Sequence, residues 1–431
     1  MKRAARLRAE WTGVWAWLGV VFLMPFSVLA QYYDSPGLDS QPVVAHPQDY
    51  KPLGIRAGSF MLHPGVQLAI QHTDNVFFDS DEERSDTVFH VRPYITAQST
   101  WSRHSLALTA SADIARYDDF GSRDYEDYFL GLNGRVDVLS RSFFTYGADF
   151  LDLHEDLNNR GSEQGVEPTR YNTYGGNVGY DHTFNRLSLG ARYTYQKADY
   201  DDVFSDEGSI IDNQDRDRDT NSWLLRAGYQ FQTDRQAFVS YTGYTTSFDQ
   251  SSDRNGFDRG GDGYTLSGGL ALSITGKLNG NVFASYQNRS FDDPALPDVN
   301  GWSAGAGLVW SATEMTSVYA DIASSVEDTT NRFSSGILQR IYSLRVDHEL
   351  TRFIQVNLFG SYRDGDYQVI DGAPVDARAK DEVYRYGVGA SWFINRHLFL
   401  NGSYAYEKLN TNVPNDDYNV NNFWLALGLE Y

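Results

Sequence analysis

Cysteine is absent from this sequence, which excludes disulfide bonds, thiolate catalysis and cysteine-based zinc sites. Beyond residue 30 there is also no run of about 20 apolar residues, which excludes membrane-spanning helices. Basic residues are scarce, since 36 Lys and Arg stand against 57 Asp and Glu and the formal net charge is -21. Because such a surface repels phosphate groups, we expect no nucleic-acid partner.

Residues 1–30 have the pattern of a secretory signal peptide. A basic start that includes Lys2 and Arg3 precedes an apolar stretch from Trp11 to Val28, and small residues end the segment at Ala30. An uncleaved membrane anchor is the alternative, but Pro25 interrupts the apolar stretch. We therefore expect export and cleavage after Ala30.

The remainder divides at about residue 64. Residues 31–63 hold several prolines and glycines without a sustained period, which predicts a periplasmic tail or a short plug. From residue 64 to 431, runs of about 11 to 14 residues alternate between apolar and polar side chains. Tight polar turns and long acidic or glycine-rich loops connect these runs in turn. The predicted turns are Ser102-Arg103, Ser140-Arg141, Asn185-Arg186, Asp234-Arg235, Gly276-Lys277, Thr313-Glu314, Thr351-Arg352 and Asn395-Arg396.

The alternation gives each predicted strand one apolar face and one polar face. From Leu187 to Tyr195, for example, leucine and tyrosine share one face while Ser188 and Arg192 lie on the other. The pattern predicts an all-β protein, a transmembrane antiparallel up-and-down β-barrel of about 18 strands with short periplasmic turns and long extracellular loops, in the bacterial outer membrane. A β-propeller is the alternative, but it lacks this two-sided loop asymmetry.

The C-terminal segment from Asn421 to Tyr431 is predicted to close the barrel by pairing with the segment from Pro64 to Thr73. Its apolar residues fall on every second position, as expected for a lipid-facing strand. An alternating last strand that ends in an aromatic residue resembles the signal read by the outer-membrane barrel assembly machinery. The residues of this predicted assembly signal are Phe423, Leu425, Leu427, Leu429 and Tyr431.

Several motifs together suggest a family. The segment Gly54–Phe60 and Pro64 lead into a strand that ends Thr73-Asp74-Asn75-Val76-Phe77, and Ser102-Arg103-His104 and Asp124–Tyr128 follow. From about Pro52 to Tyr431 the chain resembles the bacterial outer-membrane family called putative beta-barrel porin type two, which is often associated with exopolysaccharide loci. The resemblance implies a location and a shape more firmly than a substrate.

Charged residues on the polar faces are the candidate lining of a pore. Opposed basic and acidic arcs would favour hydrated polar solutes or sugars, whereas the alternative is that these charges pair with one another across strands. Phe129, Phe283 and Tyr319 on the same face could stack against sugar rings or fill space. The charged candidates are Arg92, Arg135, Arg192, Arg226, Arg345, Arg385, Asp113, Asp137, Asp149, Asp321, Asp347 and Glu349.

The acidic loops and the histidines are the residues that could form metal or catalytic sites. The stretch from Asp199 to Asp219 is the most acidic, but its spacing does not match a calcium loop, so we expect a solvated loop and no metal or other cofactor. His154 and Glu155 are adjacent and should point to opposite faces. No nucleophile motif accompanies them, so no enzymatic activity is predicted.

The sequence therefore predicts a porin-like outer-membrane channel for hydrophilic solutes, for which exopolysaccharide export is one candidate role. The alternative is a structural or interaction barrel with a closed lumen, whose acidic loops bind envelope polysaccharide or partner proteins. Expected partners are outer-membrane lipid, lipopolysaccharide and the assembly machinery, with polysaccharide or export-complex proteins as further candidates.

Overall fold

The computed structural model describes residues 50–156, 159, 165–205, 207–273 and 276–431. The predicted signal peptide and residues 31–49 of the predicted tail lie outside the described residues. Within the described part, no helix is long and apolar enough to cross a membrane.

Eighteen long antiparallel strands form one barrel, and the three-residue strand Ile55–Ala57 pairs with the first of them to complete a 19-stranded sheet. The predicted fold class is therefore confirmed. The barrel strands are β1 (Phe60–Thr73), β2 (Asp86–Ser99), β3 (Ser105–Tyr117), β4 (Tyr125–Leu139), β5 (Ser142–His154), β6 (Arg170–Phe184), β7 (Leu187–Tyr200), β8 (Arg218–Gln232), β9 (Arg235–Phe248), β10 (Gly261–Ser273), β11 (Leu278–Arg289), β12 (Val299–Ser311), β13 (Thr316–Glu327), β14 (Ser334–Thr351), β15 (Ile354–Val369), β16 (Lys380–Phe393), β17 (Leu398–Thr411) and β18 (Tyr418–Glu430).

The ring closes where the last strand meets the first, as the sequence predicts. Strand β18 pairs with β1 in antiparallel register, with Leu68 opposite Leu427, and the Tyr431 amide donates to the Pro64 carbonyl at 2.9 Å. Strand β1 begins at Phe60, upstream of the predicted boundary at residue 64. Proline inside the strand is tolerated here because its carbonyl still joins the ladder.

The connections differ sharply between the two ends of the barrel. Eight short connections coincide with the eight predicted turns, and nine longer loops join the strands at the other end. Asn185, in the two-residue turn between β6 and β7, has a φ of 44°, a conformation that asparagine adopts more readily than most residues. The loop between β7 and β8 holds its own small hairpin, Val203–Phe204 with Ile210–Ile211.

Side chains alternate between an apolar outer face and an inner face. In β18, Leu425 is 53% exposed and Ala426 is 1% exposed. Outer-face aromatic rings contact one another from strand to strand near the loop end, as in Tyr264 with Tyr286 at 6.2 Å and Tyr286 with Trp302 at 5.3 Å between ring centroids. A belt of aromatic rings at this level is typical of a barrel wall at the lipid–water interface.

Candidate functional site

The candidate site is the barrel lumen, and the strand register places every charged candidate on its inner face. Arg92, for example, lies opposite Gln67 in the ladder, and Gln67 is 8% exposed while its neighbour Leu68 is 52% exposed. The charged candidates that share this inward orientation are Arg92, Asp113, Arg135, Asp137, Asp149, Arg192, Arg226, Asp321, Arg345, Asp347, Glu349 and Arg385. A role in lining a permeation path stays a prediction.

Several of these charges are paired within the wall. The guanidinium of Arg92 lies 2.5 Å from the Asp113 carboxylate. Two further pairs lie along single strands, Arg135 with Asp137 at 2.7 Å and Arg345 with Asp347 at 2.6 Å. Pairing therefore removes much of the charge that the sequence suggested for solute contact.

Other candidates differ in that the described residues offer them no ion-pair partner within 4.0 Å. Asp149, Asp321 and Arg226 are of this kind, and the Arg226 guanidinium packs over the Phe238 ring at 4.1 Å from its centroid. These inward charges are better placed to meet a solute than the paired ones.

An aromatic residue that is not among the candidates, Trp424, packs against the Arg92–Asp113 pair and His90. Trp424 of β18 lies inside the barrel with its ring 4.8 Å from that of His90, and the Arg92 guanidinium is 4.4 Å from the Trp424 ring. The His90 Nδ1 atom lies 3.0 Å from the Asp113 carboxylate. The alternation in the sequence already places Trp424 on the face opposite Phe423 and Leu425.

His154 also points inward, at the extracellular end of β5. Its Nδ1 atom is 2.9 Å from Asp127, its Nε2 atom is 3.4 Å from Asp156, and its ring stacks on Tyr125 at 3.7 Å. Glu155 instead bonds to Arg216. The two adjacent residues have separate partners but line the same cavity, so the predicted opposite orientation is not confirmed. The strand ends at His154, and the alternation of its faces does not extend to Glu155.

The lumen wall from β8 to β11 is mostly uncharged and polar. A cavity of about 320 Å³ opens onto hydroxyl and amide side chains there, among them Thr242, Ser267 and Gln287. Phe238 and Phe283 project from the same wall, with ring centroids 6.3 Å apart. Hydroxyl and amide groups both donate and accept hydrogen bonds, so this wall can satisfy a hydrated, hydroxyl-rich solute.

Two glycines make room for Phe283 on this wall. A Cβ atom at Gly269 or Gly305 would collide with the Phe283 side chain, and at Gly269 with the neighbouring backbone too. The Phe283 ring lies against Gly305, whereas Gly269 is close to the Phe283 Cβ atom and backbone, and Phe283 lines the cavity. Phe283 was a candidate stacking residue in the sequence, and its position on the inner face agrees with the register.

Arginines join the described parts of four extracellular loops above the cavity, and we call these parts the loop cap. They are residues 155–156, 159 and 165–169, residues 201–205 and 207–217, residues 249–260 and residues 328–333. Arg216 donates to Glu155 at 2.9 Å and packs over Tyr200 at 3.9 Å. Arg254 donates to Asp215 at 2.9 Å, and Arg259 donates to backbone carbonyls of residues 331, 334 and 335.

Electrostatics in the loop cap favour the charged forms of these pairs. Burial alone would raise the pKa of Asp215, but hydrogen bonds from Arg254 outweigh it and the pKa is lowered. Burial alone would lower the pKa of Arg216, but Glu155 outweighs it and the pKa is raised. The contacts therefore hold the loops together as ion pairs at neutral pH.

The carboxylates of Asp199, Asp217 and Asp249 meet at the outer edge of this region, with ligand atoms within 4.8 Å of one another. Lys197 Nζ lies 3.1 Å from Asp199 and 3.4 Å from Asp249. Burial and then the two neighbouring carboxylates raise the pKa of Asp217, against a hydrogen bond from the Tyr200 amide that lowers it. Lys197 supplies positive charge beside two of the three carboxylates. That this loop holds no metal stays a prediction.

Comparison with known proteins gave one family match and several distant structures. A family model described as Putative beta-barrel porin 2 matches residues 46–431. Comparison with curated proteins gave no match.

Three of the similar solved structures illustrate the kinds of outer-membrane barrel that the comparison found. OpdL of Pseudomonas aeruginosa is 13% identical with a TM-score of 0.44, and the match covers 87% of this chain and 99% of that chain. OccK2 (OpdF) of Pseudomonas aeruginosa in complex with glucuronate is 11% identical, with a TM-score of 0.46 and coverage of 86% and 98%. The siderophore receptor PirA from Acinetobacter baumannii is 8% identical, with a TM-score of 0.44 and coverage of 85% and 80%.

Proposed function

The chain belongs to the Putative beta-barrel porin 2 family, and from this premise we propose that it is an outer-membrane channel for hydrophilic solutes, with exopolysaccharide as the candidate cargo. It carries out no covalent chemistry in this proposal. Barrels of about 16 to 18 strands are wide enough to leave an aqueous path through the lumen.

The mostly uncharged, polar side of the cavity, which strands β8 to β11 form, is the observation that carries the proposal. Sugars present many hydroxyl groups and apolar ring faces. Side chains such as Ser267 and Gln287 match the first property, and the lumen-facing ring of Phe283 matches the second. A wall of this composition offers many weak contacts, which suits passage better than tight retention.

Planar lipid bilayers test the proposal with the purified, refolded full-length mature protein. We expect discrete, stable open steps, and we expect maltotriose, a neutral oligosaccharide, to reduce the current. A correctly folded protein that gives no open steps would contradict the channel function.

The loop cap favours a second candidate, a barrel whose lumen is closed from outside and whose loops bind envelope polysaccharide or partner proteins. Arg216, Arg254 and Arg259 tie four loops together over the cavity. In this case wild-type protein would stay silent in bilayers, and a variant with a loosened cap would conduct.

The proposed surroundings follow from the same architecture. Acidic extracellular loops would face lipopolysaccharide, and the lipid-facing residues of β18 would engage the assembly machinery. Loss of Tyr431 should then reduce insertion in cells while leaving conductance of refolded protein unchanged.

A further inference from the structure

Charge is distributed very unevenly between the two ends of the barrel. The nine extracellular loops contain 30 acidic and 8 basic residues, a net charge of -22, whereas the eight short turns contain 6 basic and 2 acidic residues, a net charge of +4. The periplasmic end is therefore basic in a chain whose total charge is -21. An anion meets opposite environments at the two ends.

The basic end includes a cavity of about 950 Å³ at the turns that follow β4, β6 and β8. Arg135, Arg141, Arg186 and Arg235 line it, and Asp234 is the carboxylate in the same lining. Amide and hydroxyl groups of neighbouring glutamine, asparagine, serine and threonine side chains complete the wall.

The turn arginines of this cavity are available to a ligand. Arg141, Arg186 and Arg235 are exposed, and among the described residues none forms an ion pair within 4.0 Å. Arg135 is oriented by Asp137 at 2.7 Å and by the Phe143 ring at 3.8 Å. Guanidinium groups bind carboxylates through two parallel hydrogen bonds, which makes arginine the residue suited to this anion.

The basic surface continues from the cavity into the lumen. Arg226 of β8 lies opposite Gly190, two residues from Arg192 on β7, so both arginines project from the same wall. Asp181 interacts electrostatically with Arg135, Arg192 and Arg226 and offsets part of their charge. A ligand held at the turns would therefore meet further basic groups on its way inward.

We propose that this periplasmic cavity is a binding site for saccharides that carry carboxylates, such as uronic-acid oligomers, with Arg141, Arg186 and Arg235 binding the carboxylates. The proposal rests on the proposed channel function and adds a substrate class and a side of access to it. The amide and hydroxyl side chains of the lining would bind the sugar hydroxyls.

Calorimetry of the folded protein in detergent tests the site without requiring conductance. Trigalacturonate is the ligand, and neutral maltotriose is its uncharged counterpart. We expect trigalacturonate to bind more tightly, and the triple variant R141Q/R186Q/R235Q to bind it about tenfold or more weakly, since exposed ion pairs contribute modestly and roughly add. The matched control R103Q/R352Q/R396Q removes three basic residues from turns outside this cavity and should bind within about twofold of wild type.

Two results would overturn the site. Equal loss in both triple variants would show a general effect of charge at the rim. Unchanged binding in R141Q/R186Q/R235Q would show that these arginines do not bind the carboxylates. In bilayers, trigalacturonate should reduce the current from one side only, and equal effects from both sides would contradict periplasmic access. Silent bilayers would overturn the channel function, while calorimetry would still decide the site.

Discussion

Replacement of Arg216 by glutamine should loosen the loop cap, because its side chain and that of Glu155 are each only 9% exposed. Removing one partner of a buried ion pair leaves the other charge desolvated, which destabilises by about 3–5 kcal/mol. At the lower end of that range, and with about 1.4 kcal/mol for each tenfold change, the fraction of molecules with an open cap rises about 100-fold.

Limited digestion with chymotrypsin measures this fraction. Tyr200 is 7% exposed and its ring lies 3.9 Å under the Arg216 guanidinium, so cleavage after Tyr200 requires the cap to open. When opening is fast relative to cleavage, the rate follows the equilibrium population of the open form. Mass spectrometry of the fragments identifies the site of cleavage.

Two further variants make the result specific. Arg84→Gln removes an arginine whose side chain is 53% exposed and pairs with Glu82 at the surface, so cleavage after Tyr200 should not change. The double variant E155Q/R216Q removes both buried charges of the pair and should be cleaved more slowly than R216Q. A single variant as resistant as wild type, or a double variant cleaved as fast as the single, would refute the reasoning.

Three other predictions follow from the lumen, the lipid face and the acidic edge. Phe283→Ala should weaken the maltotriose block about fivefold in bilayers, since a ring contact contributes about 1 kcal/mol; an unchanged block would exclude stacking. Leu427→Lys should lower the yield of folded protein in vesicles, because a lysine on the lipid face costs about 2–4 kcal/mol at the bilayer midplane, while Leu427→Val should fold normally. Asp217→Asn should slow chymotrypsin cleavage of the cap at pH 7, because a raised folded-state pKa means that ionised Asp217 destabilises the fold. The slower cleavage of Asp217→Asn relative to wild type should disappear as the pH falls through the pKa of Asp217 in the folded protein. A difference in cleavage rate that stays constant in acid would contradict this reasoning.

The barrel could be predicted from the sequence because its rules are local. A period of two identifies each strand, and the alternation of short turns with long loops orients the strands in the membrane. Inward orientation of Arg92 or Arg226 follows from counting along a strand. The alternation of apolar residues from Asn421 to Tyr431 likewise predicts a strand of the barrel wall, and β18 does pair with β1.

The contacts inside the lumen and the loop cap are not local and could not be predicted. Arg216 and Glu155 are 61 residues apart, and their pairing depends on how two loops fold over the barrel. The Arg92–Asp113 pair crosses between strands, and only the register decides that these two charges meet. Pairs within one strand, such as Arg345 and Asp347, are predictable, because residues two positions apart share a strand face.

Measurements at different salt concentrations can distinguish two sources of anion selectivity, the long-range charge of the loops and direct contact with the turn arginines. The loops, with a net charge of -22, act on a solute at a distance, and this action is screened within about 8 Å at physiological salt and about 3 Å at 1 M. Arginines that touch a carboxylate are screened much less when the contact excludes water. If the cavity at the periplasmic turns binds trigalacturonate directly, the wild-type protein should still bind trigalacturonate more tightly than maltotriose at 1 M salt, although by a smaller factor. In R141Q/R186Q/R235Q this difference in affinity should disappear. Preference that disappears at 1 M salt in wild type would instead assign the selectivity to long-range charge.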